Sequence, residues 1–125
     1  YFLGTTIGKE LKIGRKGLRE KNIDRVLKKV GLSGINLTQP PEQLSGGQQR
    51  RLAVAVQLIR NPTILLLDEP TAGLDWSMKN DVKNLLLNLK NKNTIIIVTH
   101  EPSLFEGIPS KVLTIERGKI KKIID

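Results

Sequence analysis

Apolar residues recur at helical spacing between Leu18 and Val30, where Leu18, Ile23, Val26, Leu27 and Val30 fall on one face. Gly31 then supplies a C-terminal stop. Before this helix, residues 1–17 are mixed and punctuated by glycine, and they read as loop with room for a turn of helix. After it, Leu32–Leu44 is a connector carrying Pro40 and Pro41, and proline biases the residue before it away from helix. A second helix is predicted from Ser45 to about Arg60, with Ser45 as N-cap, Leu52, Val56 and Ile59 on one apolar face, and Asn61-Pro62 as terminator. Thr63–Leu67 is a continuous apolar run with the length of a strand buried on both faces. Turn residues occupy Asp68–Asp75, a third helix is marked by Val82, Leu85, Leu86 and Leu89, and Thr94–Thr99 is a second buried strand. Lys111–Glu116 and Lys119–Ile124 flank Arg117-Gly118, a hairpin signal. Helices alternating with buried strands predict an α/β fold whose sheet is mainly parallel and flanked by helices, with an antiparallel edge.

Composition narrows the classes. A hydrophobic share of 38% belongs to a folded chain rather than a disordered one. Cysteine is absent, which excludes a disulfide framework, a zinc–thiolate site and a thiol nucleophile. The longest apolar runs, Ile64–Leu67 and Ile95–Val98, are too short to cross a bilayer, so any membrane role requires a partner that spans it. The net charge of +9 raises nucleic acid or anionic lipid as partners. However, the lysines lie among Asn and Ile and only 3% of residues are aromatic, the pattern of a solvated basic surface without stacking platforms. No specific nucleic acid is expected.

Candidate chemistry lies between residues 44 and 100. In Leu44-Ser45-Gly46-Gly47-Gln48, at a helix start, adjacent glycines permit close backbone approach to a phosphate. The Ser45 hydroxyl and the free N–H groups of the first turn face an anion, assisted by the helix dipole. An ordinary capped helix explains the same residues. The strand Ile64–Leu67 ends in Asp68-Glu69-Pro70, placing two carboxylates at the carboxyl edge of the sheet, where open α/β folds bind ligands. There Asp68 can reach Mg²⁺ through its water shell and Glu69 can take a proton from water. Gly73-Leu74-Asp75 follows, and Asp75 can serve as N-cap of the next helix. Thr99-His100 ends the next strand with the chain's only histidine.

In this order, the four motifs resemble the ATP-binding cassette (ABC) ATPases from residue 44 to about 118. Gln48-Gln49-Arg50-Arg51, Ala53-Val54-Ala55-Val56-Gln57 and Trp76 after Asp75 look like the cobalt-type or energy-coupling-factor importer ATPases, in their cyanobacterial and plastid branch. Tyr1-Phe2-Leu3 with Thr5-Thr6-Ile7 resembles the family's transporter-facing stretch. The resemblance implies a partial P-loop NTPase domain: a remnant of the helical subdomain and transporter-facing region (1–43), the signature motif and its helix (44–60), and a segment from the acidic strand end to the switch histidine and C-terminal hairpin (61–125). It implies that Ser45, Gly46, Gly47 and Gln48 close on the γ-phosphate of ATP held by an opposite subunit. By the same likeness Asp68 holds Mg²⁺ through water, Glu69 is the general base, Asp75 communicates across the dimer and His100 orients the attacking water. The implied cofactors are ATP and Mg²⁺. The implied partners are a second ABC ATPase subunit, homo- or heterodimeric, and integral membrane transporter subunits, which choose the cargo. The chain would then sit in the cytoplasm, or in the plastid stroma, peripheral on the inner face of a membrane.

The family also needs a Gly-rich phosphate loop after an N-terminal strand, and the chain, which does not open on methionine, is expected to continue upstream of Tyr1. The nearest match, Gly4-Thr5-Thr6-Ile7-Gly8-Lys9-Glu10, has one residue too few between its glycines, and Glu10 stands where a hydroxyl is needed. Without that loop the isolated chain is expected to be inactive alone, with exposed apolar strand edges. The alternatives are a non-catalytic module offering the Ser45–Gln48 surface to a partner's ATP, and a fragment of a soluble ABC protein acting on ribosomes or nucleic acid.

Overall fold

The computed structural model describes residues 2–14, 17–108 and 111–124. Tyr1, part of the transporter-facing resemblance, lies outside them. The described elements are α1 (Ile7–Lys12), α2 (Glu20–Lys29), α3 (Gly46–Leu58), β1 (Ile64–Asp68), α4 (Trp76–Leu89), β2 (Thr94–Val98), β3 (Val112–Glu116) and β4 (Lys119–Ile124). Short 3₁₀ turns at Pro41–Gln43 and Pro102–Phe105 complete the order.

The strands form two separate two-stranded sheets. β1 and β2 pair in parallel, with Leu65 opposite Ile95 and Leu67 opposite Ile97, and α4 is the crossover that a parallel pair requires. β3 and β4 pair antiparallel around Arg117-Gly118, with a register irregularity between Thr114 and Ile115. The predicted antiparallel element is therefore a hairpin of its own rather than an edge of the β1–β2 sheet.

Helix ends follow local chemistry. α2 stops in a Schellman motif: Leu32 N–H donates to Leu27 O at 2.8 Å and Gly31 N–H to Lys28 O at 3.2 Å. That geometry needs the left-handed backbone Gly31 adopts at φ 73°. The helix starts at Glu20, two residues later than the apolar spacing predicts, with Arg19 as N-cap. α3 begins in a complete capping box, Gln48 N–H donating to Ser45 Oγ and Ser45 N–H to Gln48 Oε1.

One apolar cluster joins these elements. Ile7 and Leu11 of α1, Ile23 and Leu27 of α2, Leu52 and Ala55 of α3, Leu65 and Leu67 of β1, and Val82 and Leu86 of α4 are all buried in it. The expectation of a strand buried on both faces is corrected here. Side chains alternate across a strand, and the helices cover only the Leu65/Leu67 side. Ile64, Leu66, Ile96 and Val98 on the other face are 54, 64, 48 and 59% exposed. Nothing among the described residues forms a layer over them. Within residues 1–17 the turn of helix is α1, a six-residue helix capped by Thr6 that buries Ile7, Glu10 and Leu11.

Candidate active site

Asp68 and Glu69 stand where β1 ends. Glu69 N–H donates to Val98 O at 2.8 Å, continuing the parallel ladder by one step and fixing the residue against β2. Glu69 then takes a left-handed backbone conformation, φ 48°, which a non-glycine residue adopts at a cost. The turn closes through Ala72 N–H to Glu69 O, 3.2 Å, and Leu74 N–H to Thr71 O, 3.3 Å. Asp68 is exposed at the sheet edge.

β2 ends at Val98, Asp68's partner, and the chain then carries Thr99 and His100 to the same edge. His100 Nε2 lies 3.4 Å from Glu69 Oε1, close enough for an ion pair when the imidazole is protonated. The pair does not meet hydrogen-bond geometry, and Oε1 is buried without a hydrogen-bond partner among the described residues. A buried carboxylate oxygen lacking a donor is costly unless something supplies a proton or a water. The imidazole itself is 95% exposed. Sequence reading placed these two side chains at neighbouring strand ends, and the structure brings them together.

Ser45, Gly46, Gly47 and Gln48 form the start of α3. The Ser45 hydroxyl does not stand free, because its oxygen accepts the cap bond from Gln48 N–H at 3.2 Å, leaving only its proton to donate elsewhere. Ser45 and Gly46 are exposed and Gly47 is buried. A Cβ on Gly47 would sit 3.0 Å from Met78 Cγ, so the second glycine lets α3 pack closely on the Met78 side chain of α4. Asp75 is the N-cap of α4, its Oδ1 accepting from Met78 N–H at 2.9 Å.

Two tethers across the chain were not anticipated. Arg50 Nη2 donates to Ala72 O at 3.0 Å, tying the signature helix to the turn between Glu69 and Asp75. Lys79 Nζ reaches both carboxylate oxygens of Glu101, 2.7 and 2.8 Å away, next to His100. Each joins residues 22 positions apart, and no local pattern announces such a pair.

Among the described residues, no group of three or more His, Cys, Asp or Glu side chains could hold a metal ion. A bound Mg²⁺ here would rely on one carboxylate, water and substrate oxygens, the usual arrangement for this ion, and the exposed carboxylate of Asp68 fits that role. No helix among those residues is long and apolar enough to cross a membrane.

The parallel βαβ unit with carboxylates at its edge belongs to the α/β class whose ligands bind at the carboxyl ends of the strands. The family model for ABC transporters matches residues 2–72, and the chain belongs to that family. ABC transporter I family member 11, chloroplastic, from Arabidopsis thaliana is 44% identical over 129 residues, covering 96% of this chain and 46% of its own length. The energy-coupling factor transporter ATP-binding protein EcfA of Methanocaldococcus jannaschii is 43% identical over 104 residues, covering 82% of this chain and 37% of its own. Among solved structures, cbiO1 from Clostridium perfringens, part of the ABC transporter complex cbiONQ, superposes with a TM-score of 0.84 at 28% identity. That match covers 98% of this chain and 51% of cbiO1. The fold is that of part of an ABC ATPase cassette, and the chain spans about half the length of the relatives it matches. ATP binding and hydrolysis are the family's chemistry.

Proposed function

We propose that this chain is the signature-to-switch part of an ATPase subunit that powers an ABC-type membrane importer. The carrying observation is the pairing of Glu69 and His100 at 3.4 Å on the carboxyl edge of the β1–β2 sheet, with Oε1 of Glu69 buried and lacking a donor. In this reading Glu69 accepts a proton from the attacking water as that water's oxygen bonds to the γ-phosphorus and the bond to ADP breaks. His100 orients the water and the γ-phosphate. Asp68 would hold a Mg²⁺ ion through a water molecule, and that ion would supply charge neutralisation at the phosphate oxygens. The α3 start, from Ser45 to Gln48, offers its free N–H groups and the Ser45 proton to the γ-phosphate of ATP on a second cassette, and Asp75 carries the contact between the two.

The domain division follows the same reading: 1–43 is a remnant of the helical subdomain and the transporter-facing region, 44–60 bears the signature helix, and 61–125 carries the hydrolytic edge and the C-terminal hairpin. The partners are a second ATPase subunit and membrane-spanning transporter subunits, which would hold the chain at the inner face of a membrane. The relatives' names support a transporter assignment, and the chloroplastic one is consistent with a plastid stroma as the compartment. The test is MgATP hydrolysis by the complete cassette containing these residues. Turnover lost in Glu69→Gln with nucleotide binding retained is the expected result, and unchanged turnover would overturn the role of Glu69.

A second reading has its own observation. The stretch nearest to a phosphate loop is folded into the cap of α1, where the Glu10 carboxylate accepts the Gly4 N–H. On that reading the chain supplies only the Ser45–Gln48 surface to a partner's ATP. Titration of the 125-residue chain with fluorescent ATP tests the second reading, which tight binding by the chain alone contradicts.

A further inference from the structure

We infer that Lys79 is a positioning residue for His100, acting through Glu101; the inference rests on the reading of His100 given above. The histidine ring is 95% exposed, so packing does not hold it, and its placement is set by the backbone of residues 99–101. Two contacts fix that backbone. Glu101 N–H donates to Thr99 Oγ1 at 2.9 Å, closing a tight turn around His100. The Glu101 carboxylate is then held through both oxygens by Lys79 Nζ at 2.7 and 2.8 Å.

Lys79 is itself well anchored. It lies in the first turn of α4, its backbone N–H donating to the carbonyl of the N-cap Asp75 at 2.9 Å. Its side chain is only 21% exposed, against 44% for Glu101, so the pair is partly shielded from solvent. Shielding and two-oxygen geometry distinguish it from the exposed single-contact pairs that contribute little. The neighbouring Met78 packs against Gly47 of the signature helix. Adjacent residues of α4 thus reach the signature start on one side and the residue after His100 on the other. A shift of the α4 N-terminus relative to β1 and β2 would move the His100 ring against Glu69.

His100 is the only histidine, so its Cε1–H NMR correlation is a single-site probe in the 125-residue chain. Lys79→Met and Glu101→Gln are each expected to shift and sharpen that signal towards the position of a free histidine. Lys79→Arg should retain the native position, and the swap Lys79→Glu with Glu101→Lys should return towards it. In the complete cassette, Lys79→Met should lower kcat for MgATP about tenfold and change KM less than twofold. A His100 signal unmoved in Lys79→Met, with native folding by circular dichroism, overturns the inference. So does unchanged kcat in Lys79→Met while Glu69→Gln is inactive. If instead Glu69→Gln turns over normally, the reading of the site fails, and the NMR comparison alone decides whether Lys79 positions His100.

Discussion

Nε2 of His100 stands 3.4 Å from Oε1 of Glu69, across the ends of two parallel strands. The strands dictate this proximity. With Asp68 opposite Val98, the residues just beyond each partner leave the sheet side by side, and Glu69 is locked there by its bond to Val98 O. Glu69→Gln keeps the shape and removes the base. Turnover of MgATP by the complete cassette is expected to fall by about 100-fold or more, with nucleotide affinity unchanged in an equilibrium titration. His100→Ala is expected to lower kcat on the order of 100-fold, as loss of a group that orients the reacting phosphate does.

Asp75 has a structural duty that can be measured apart from any other. Its carboxylate caps α4 through Met78 N–H. Asp75→Ala should cost about 1 kcal/mol in urea unfolding, the usual penalty for an N-cap aspartate, and Asp75→Asn should cost much less. A role in communication between cassettes would then appear as lost cooperativity of ATP hydrolysis in the Asn variant, whose cap is intact.

How much of this could be read from the chain depends on how local each cause is. The caps at Ser45 and Asp75, the stop at Gly31 and the strand ends at Asp68 and Thr99-His100 are set within a few residues, and the sequence pattern places them correctly. The bounds of α1 are not legible, because its six residues show only Ile7 and Leu11 as an apolar pair, set among glycines that read as loop with room for a turn of helix. Apolar runs such as Ile64–Leu67 report a strand's composition without saying which faces are covered, and so Leu66 was expected inside while it is 64% exposed. The Lys79–Glu101 and Arg50–Ala72 tethers depend on how α3 and α4 dock beside the strand ends, a tertiary fact with no local signature.

Gly47 tests how closely the signature helix packs on α4. An added Cβ meets Met78 Cγ at 3.0 Å and Sδ at 3.2 Å, both atoms of a flexible side chain. Gly47→Ala should therefore be tolerated with a shift of Met78, whereas Gly47→Val should destabilise by about 1–3 kcal/mol through overpacking. Met78→Ala in the Val background should restore part of that loss in thermal unfolding.

The open face of the β1–β2 sheet makes a prediction about solution behaviour. Ile64, Leu66, Ile96 and Val98 form a contiguous apolar surface on neighbouring strands, and such patches drive association. Leu66→Thr combined with Ile96→Thr places β-branched residues at both positions while removing apolar area. Light scattering of the 125-residue chain should fall markedly in the double variant, and secondary structure by circular dichroism should be preserved.

The stretch Gly4–Glu10 offers a test in which motif and structure predict opposite results. On paper, Glu10→Ser brings Gly8-Lys9 followed by a hydroxyl, and so moves the segment towards a phosphate loop. In the fold, Glu10 is a buried residue of α1 whose carboxylate accepts the Gly4 N–H, and a Cβ on Gly4 would lie 2.6 Å from Glu10 N. Gly4 and Glu10 thus close a compact loop around the Thr6 cap rather than an open anion nest. Replacing the carboxylate with a short hydroxyl leaves the Gly4 N–H without its charged acceptor, at a cost of roughly 1–3 kcal/mol. Glu10→Ser is therefore expected to lower the urea midpoint and to create no ATP binding in a fluorescent-nucleotide titration. Gain of micromolar ATP affinity in this variant would show that the segment can open into a phosphate loop, and would overturn its assignment as a helix cap.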